Sequence, residues 1–253
     1  MLHLCVKNYT MTYRRIHLAH ASSTNALLSE GIKQGEYREE VVFTTDYQEN
    51  GKGQGDHIWE SPPGVNLLLS VLLFPAFLSA SRQFYLLRVA SLAISDTLVS
   101  AGLKPEIKWP NDLLVNRRKI AGILIENGIT DQYLSHSIVG IGLNLNQDHF
   151  PEFPVPATSV ALETGVSADR DRLTDTLLLA LETRYNQLRN GAISVLEEEY
   201  RERMYLLGKP AEFVANGVTF TGTIRGVDQH GELLLESKGN TRSFGFQTIE
   251  YSR

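Results

Sequence analysis

The chain has 253 residues, 42% hydrophobic and 21% charged, enough to bury one or two cores and too apolar for a disordered tail. Lysine and arginine total 24 against 29 acidic residues, and the net charge of −5 argues against bulk nucleic acid as the main partner and makes any basic site local. Cys5 is the one cysteine, which excludes an internal disulfide and a multi-cysteine zinc site and leaves the cytoplasm as the expected location.

Ser22-Ser23-Thr24-Asn25 before Ala26-Leu27-Leu28 predicts a helix start, because short polar side chains accept from the first free N–H groups. The β-branched run 41–45 predicts a strand, and 48–59, with Gly51, Gly53 and Gly55, a polar glycine-rich loop. Residues 65–74 read as a buried strand that stops at Pro75, short of the roughly 18 apolar residues of a membrane span. No membrane partner is expected, and 1–15 lack the continuous apolar stretch of a secretory signal. A core helix follows over 84–100, closed by Gly102, and then a strand over 106–109 broken by Pro110.

Residues 113–116 and 120–126 predict a hairpin across Arg117-Arg118-Lys119, and 137–146 a further strand. Pro151, Pro154 and Pro156 make 147–168 an irregular surface connection. Two amphipathic helices are predicted over 170–189 and 195–207. From Lys209 the texture changes to short strands over 211–214, 218–225, 232–236 and 241–246, a small β-barrel appended to an α/β body.

Three segments carry candidate chemistry. Lys108-Trp109-Pro110-Asn111-Asp112, followed by Lys119-Ile120-Ala121-Gly122-Ile123-Leu124, sets cations, an amide and a carboxylate where they can hold a phosphate, a carboxylate or a metal. Taken alone it also fits an Asn-Asp turn with exposed lysines. The N–H groups of Gly51-Lys52-Gly53 can wrap an oxyanion, although the segment is not a P-loop and fits a surface loop as well. Gly140-Ile141-Gly142-Leu143-Asn144 places two glycines in an apolar strand, the mark of a bulge or of a ligand against the backbone. The seven histidines show no ligand-like pairing, and no nucleophile elbow occurs.

Taken in order, Ser23-Thr24-Asn25, 48–59, Asn66-Leu67, 108–112, 119–124, 140–146 and Arg225-Gly226-Val227-Asp228 resemble the biotin protein ligases over 16–251. The resemblance implies an α+β fold: a mixed-sheet biotin/lipoate ligase-like catalytic domain over 1–207 and a small SH3-like β-barrel over 208–253. It implies that biotin and ATP with Mg2+ form biotinyl-5'-AMP, and that a lysine of a biotin carboxyl carrier domain then takes the biotin. Lys119, Lys52 and Lys108 become the cations that relieve repulsion between carboxylate and triphosphate.

By the same resemblance Ser23, Thr24 and Gln48 hydrogen-bond biotin with Asn25 beside them, and Gly51, Lys52 and Gly53 close over it. Gly122, Leu124 and Gly140 line its apolar slot, and Lys119 reaches its carboxyl group. Trp59, Asn66 and Asn144 lie on the adenylate, Asn111 and Asp112 on the phosphate and metal side, and Arg225 faces the nucleotide. Magnesium comes with the substrate phosphates, with no protein ligand assigned.

Two features depart from the family pattern. Lys52, Gln54, Gly55, Asp56 and His57 stand where arginines are usual, and lysine keeps charge but loses bidentate geometry. About fifteen residues precede the resemblance, too few for a DNA-reading helix-turn-helix, so DNA binding is not expected. Loop 49–57, with three glycines and no large apolar residue, is expected to be a mobile lid. A lipoate or octanoate ligase or transferase, and a biotin sensor without turnover, are the alternatives.

Overall fold

Seven strands form one mixed sheet: β1 (Arg14–Leu18), β2 (Val41–Thr45), β3 (Leu67–Leu73), β4 (Glu106–Lys108), β5 (Asp112–Val115), β6 (Arg118–Thr130) and β7 (Tyr133–Leu143). Their order is β1-β2-β3-β7-β6-β5-β4, with only β1 and β2 parallel. The structure, a computed structural model, describes residues 13–55 and 57–252, so Cys5 and Asp56 lie outside the described residues. Strand β3 reads LLLSVLL and is buried throughout, as a central strand covered on both faces must be.

The two faces of the sheet differ in what covers them. Leu67, Leu69, Val71 and Leu73 point into the main core with helix α2 (Phe84–Ser100), while Leu72 packs with Leu28 of helix α1 (Thr24–Lys33) on the opposite face. Helix α2 is apolar almost all round because helices α4 (Arg170–Arg189) and α5 (Ile193–Glu202) cover its outer side. Asp96 of α2 receives the Arg184 guanidinium of α4 at 2.7 Å and that of Arg203 at 2.6 Å, and Arg184 and Arg203 both also reach Glu199 of α5.

The C-terminal strands β8 (Pro210–Ala215), β9 (Val218–Val227), β10 (Leu233–Ser237), β11 (Asn240–Phe244) and β12 (Glu250–Tyr251) form a separate antiparallel sheet, in the order β11-β10-β9-β8-β12. The small barrel expected from the sequence is thus a five-stranded sheet with β11 and β12 as its edges. Its apolar residues, among them Phe213, Ile224 and Leu235, join the main core. Trp109 Nε1 donates to Gly231 O at 3.0 Å, Phe246 packs on Trp109, and Arg88 donates to the carbonyls of Val227 and Asp228.

Helices 84–100 and 170–189 have the bounds their periodicity predicts. Other elements differ, each for a local reason. The second amphipathic helix ends at Glu202 rather than 207, because Arg203 O and Tyr205 N bond Ile107 at the β4 edge. The proline-rich connection holds a short helix, α3 (Val160–Thr164), whose N-cap Ser159 accepts from Leu162 N. Lys119 sits on β6, since the tight turn falls at Asn116 and Arg117, both with positive φ. Strand β1 was not legible, and β7 ends at Leu143 instead of 146.

Candidate active site

Where α1 begins, the sheet face beside it is floored by backbone. Gly140 and Gly142 are alternate residues of β7 and so share a face, and Gly122 of β6 pairs with Gly142. A β-carbon on Gly142 would stand 2.3 Å from Trp59 Cε2, and one on Gly122 2.8 Å from Trp59 Cζ3. The indole therefore lies across both glycines, and its N–H is buried without a hydrogen-bond partner. A β-carbon on Gly140 would stand 2.4 Å from Asn25 Oδ1. The glycines make a strip that the Trp59 indole covers at one end and the Asn25 amide at the other, and Leu124, opposite Gly140 on β6, lies along it.

A polar cluster occupies the Gly140 end. Thr24 N donates to Gln48 Oε1 at 2.8 Å, so Gln48 supplies the capping bond at α1 that the buried N-cap Ser23 does not make with its own side chain. Thr24 Oγ1 lies 2.6 Å from Ser70 Oγ, which donates to Asn25 Oδ1 at 2.6 Å. Asn25 Nδ2 donates to Glu126 Oε2 at 2.7 Å, so both ends of the Asn25 amide are engaged.

A charged cluster occupies the Gly142 end. Lys119 Nζ pairs with Asp112 Oδ1 at 2.6 Å, lies 5.6 Å from the Trp59 ring centre, and stands 3.4 Å from where a Gly122 β-carbon would be. Lys108 is cross-strand to Asp112 and lies 5.1 Å from the ring centre of Tyr251, contributed by the C-terminal sheet. Burial pushes the Lys108 ammonium below the usual lysine range, with Asp112 opposing the shift and Lys119 adding to it. Polar and charged clusters are thus separated by the strip, roughly 7 Å for the two residues of strand from Gly140 to Gly142.

The glycine-rich loop borders the strip and is tied down more than its composition suggests. Glu49 N and Asn50 N donate to Ala21 O and Ser22 O, Trp59 N to Gly51 O, and Gly53 N to His57 O. Lys52 pairs with Ile58 and is exposed, and the loop is a narrow hairpin that carries Trp59. Its tip at Gly55 approaches Gln247 in the turn between β11 and β12.

Thr24, Asn25, Gln48, Gly51, Trp59, Asp112, Lys119, Gly122, Leu124 and Gly140 are therefore gathered along one strip, with Ser23 buried at the head of α1, Gly53 further out on the loop beside His57, Lys108 behind and Lys52 exposed. Four of the expected residues are also engaged within the protein. Asn111 Nδ2 donates to Ile123 O, Asn144 Nδ2 to Thr158 O, and Asn66 holds Ser61, Gln147 and Leu145 N. These amides fix the loops around the strip. Arg225 pairs with Glu236 at 2.8 Å and lines a cleft of about 350 Å³ with Arg88 and Glu197, away from Lys119 and Trp59. Reading the sequence alone missed Ser70, Glu126 and Tyr251. A lone hydroxyl inside LLLSVLL was the signal for Ser70, and nothing local marked Tyr251.

No cluster of three or more metal-ligating side chains occurs among the described residues. With Asp112 already bound to Lys119, the donor set suits a magnesium ion that arrives on a nucleotide and keeps mostly phosphate and water ligands.

Residues 18–144 match the model of the Biotin/lipoate A/B protein ligase family. The chain is 31% identical over 230 residues to the biotin--[acetyl-CoA-carboxylase] ligase of Mycobacterium tuberculosis, covering 88% of this chain and 84% of that one. It is 32% identical over 219 residues to the bifunctional ligase/repressor BirA of Bacillus spizizenii, covering 84% of this chain and spanning 66% of that relative's length. The biotin protein ligase from Aquifex aeolicus in complex with biotin and ATP has the same fold, with a TM-score of 0.79 at 23% identity over 94% of this chain and 99% of that one.

Proposed function

Because the chain belongs to the biotin/lipoate A/B protein ligase family, we propose that it is a biotin protein ligase that makes biotinyl-5'-AMP from biotin and MgATP and passes the biotin to a lysine of a biotin carboxyl carrier domain. The observation that carries the reading is the Thr24–Gln48 pair facing Lys119 across a glycine strip. A fused-ring urea with an acidic chain needs a hydrogen-bonding seat at one end and a cation at the other. Lipoate and octanoate offer nothing for the seat to bond, and buried polar groups left unpaired discriminate strongly against such ligands.

In the proposed first step a biotin carboxylate oxygen attacks the α-phosphorus of ATP, and pyrophosphate leaves with the bond it breaks. Lys119 sits where both carboxylate and phosphoryl charge gather, with Lys108 behind it and Lys52 at the rim. Fixed cations in a partly desolvated site lower the barrier without reorganising. Gly51, Lys52 and Gly53 close the near side, and the unpartnered Trp59 N–H gives the strip a donor for the adenylate. In the second step the carrier amine attacks the acyl carbon and AMP leaves.

We propose residues 1–207 as the catalytic domain and 208–253 as the C-terminal domain. No helix among the described residues is long and apolar enough to cross a membrane. We propose the cytoplasm as the location on a separate ground, the single cysteine that fits a reducing compartment. Incubating the protein and MgATP with equimolar biotin, lipoate and octanoate, and weighing the acyl-adenylate, tests the reading. Biotinyl-5'-AMP is expected. Lipoyl- or octanoyl-AMP, or no biotin-dependent ATP–pyrophosphate exchange, overturns it.

A further inference from the structure

The direction of a hydrogen-bond chain can be settled by counting protons when one end is an acceptor only. Glu126 Oε2 accepts from Asn25 Nδ2 at 2.7 Å, which fixes the Asn25 amide with Oδ1 toward Ser70. Asn25 Oδ1 has no proton to give, so the 2.6 Å contact uses the Ser70 hydroxyl proton. That proton is then committed, so the 2.6 Å contact between Ser70 and Thr24 requires the proton of Thr24, and the shorter contact takes it in preference to Gln48 Oε1, which Thr24 Oγ1 approaches at 3.1 Å. Every donor in the row points toward Glu126.

From this we infer that Glu126 is a positioning residue that sets the hydrogen-bond polarity of the biotin seat, acting through Asn25 and Ser70, and so makes the site selective for a ring that donates N–H. The inference rests on the biotin reading above. With its proton drawn toward Ser70, Thr24 Oγ1 offers the seat lone pairs and no hydrogen. Gln48 Oε1 is held by Thr24 N, and Gln48 Nε2 points to the other side, 3.2 Å from where a Gly51 β-carbon would stand. An acceptor beside a donor is the complement of the N–H and C=O of a cyclic urea. A dithiolane ring or an alkyl chain offers neither group.

The surroundings protect this arrangement. Ser70 is fully buried, Asn25 and Thr24 nearly so, and water has little access to take over a bond in the row. A side chain at position 140 would collide with Asn25 Oδ1, so Gly140 keeps the relay in register. Successive donors polarise one another, and a charged acceptor at the end strengthens the whole row.

Glu126 lies at an exposed position of β6 and can be changed with little cost to the fold. Glu126→Lys is the decisive variant, since an ammonium can only donate. It turns the Asn25 amide round, sends the Ser70 proton to Thr24, and directs the Thr24 proton to Gln48 or into the seat. Glu126→Met, with neither role, separates polarity from charge. Isothermal titration of the full chain should show biotin affinity falling about tenfold or more in Glu126→Lys and less in Glu126→Met, the loss of about one hydrogen bond's discrimination. Desthiobiotin, which keeps the urea and lacks the ring sulfur, should lose as much as biotin. ATP affinity and the melting temperature should be unchanged.

Equal biotin affinity in all three proteins overturns the inference and leaves the ligase reading intact. A parallel loss of ATP affinity or of melting temperature also overturns it, since Glu126 then acts on the fold at large. Failure of the unmodified protein to bind biotin refutes the ligase reading itself.

Discussion

Trp59 and Gly142 occupy one another's space: the indole lies where any side chain at 142 would begin, 2.3 Å from its Cε2. Gly142→Ala must push the indole off the strip. The neighbour is a side chain on a loop and can swing away, so the fold should lose no more than about 1–3 kcal/mol. Subtracting the spectrum of a Trp59→Phe companion isolates the Trp59 emission, which should be red-shifted in Gly142→Ala. An unshifted emission would mean that the indole rests elsewhere.

Lys119→Ala should cut biotin-dependent ATP–pyrophosphate exchange by about a hundredfold or more, roughly 3 kcal/mol, the scale of one lost preorganised donor. Its ion pair with Asp112 is partly exposed, so the melting temperature should fall little. Near-normal exchange would remove Lys119 from the mechanism.

While Arg225 pairs with Glu236, the C-terminal sheet meets the charged cluster at Lys108 through Tyr251. Its ring lies against Lys108, and its hydroxyl is buried without a partner. Tyr251→Ala should raise the KM for ATP about five- to tenfold, as expected for a cation–π contact of about 1 kcal/mol plus lost packing. Arg225→Ala removes an exposed pair with Glu236 and should change exchange less than threefold, within about 0.5 kcal/mol. A large defect in Arg225→Ala with none in Tyr251→Ala would reverse this assignment.

Asp96 is subject to opposing influences. Burial alone would raise its pKa, but hydrogen bonds from Arg184 and Arg203 outweigh burial and hold the carboxyl below the usual range. A carboxylate with a depressed folded pKa stabilises above its unfolded value, near pH 4, and that contribution disappears as pH falls through the lower folded value. Asp96→Asn should therefore be less stable by about 1.5–3 kcal/mol at pH 7, and the gap should begin to narrow below about pH 4 and go on narrowing as pH falls toward the folded value. Urea melts at pH 7 and pH 3 give both numbers. A gap that is constant with pH would show that the charge of Asp96 is immaterial.

Periodicity exposed helices 84–100 and 170–189 because each has one continuous apolar surface and a glycine or asparagine stop. It could not expose β1, whose RRIHL is mostly exposed at a sheet edge and draws its order from parallel pairing with β2. The site divides in the same way. Lys119 and Trp59 stood out because each lies in a short segment of unusual composition, 119–124 and 48–59. For the three asparagines Asn66, Asn111 and Asn144 the sequence shows only an amide that serves a ligand or a backbone loop equally well, and the packing adds the bonds by which each braces a loop. Glu126 and Tyr251 stayed hidden because each reaches the strip through another residue, Asn25 or Lys108.

The bond from Trp109 to Gly231 has a consequence for building hybrids. Trp109 stands between Lys108 and Asp112, and its indole N–H is held by a turn of the other sheet under the ring of Phe246. A chimera that takes residues 209–253 from a relative inherits a turn shaped for a different tryptophan. It would fold only as well as that turn accepts this indole, and its errors would surface as altered turnover before any visible loss of solubility. Grafting Gly231 and Phe246 together with their flanking turns is the smallest exchange that keeps both sides of the joint matched.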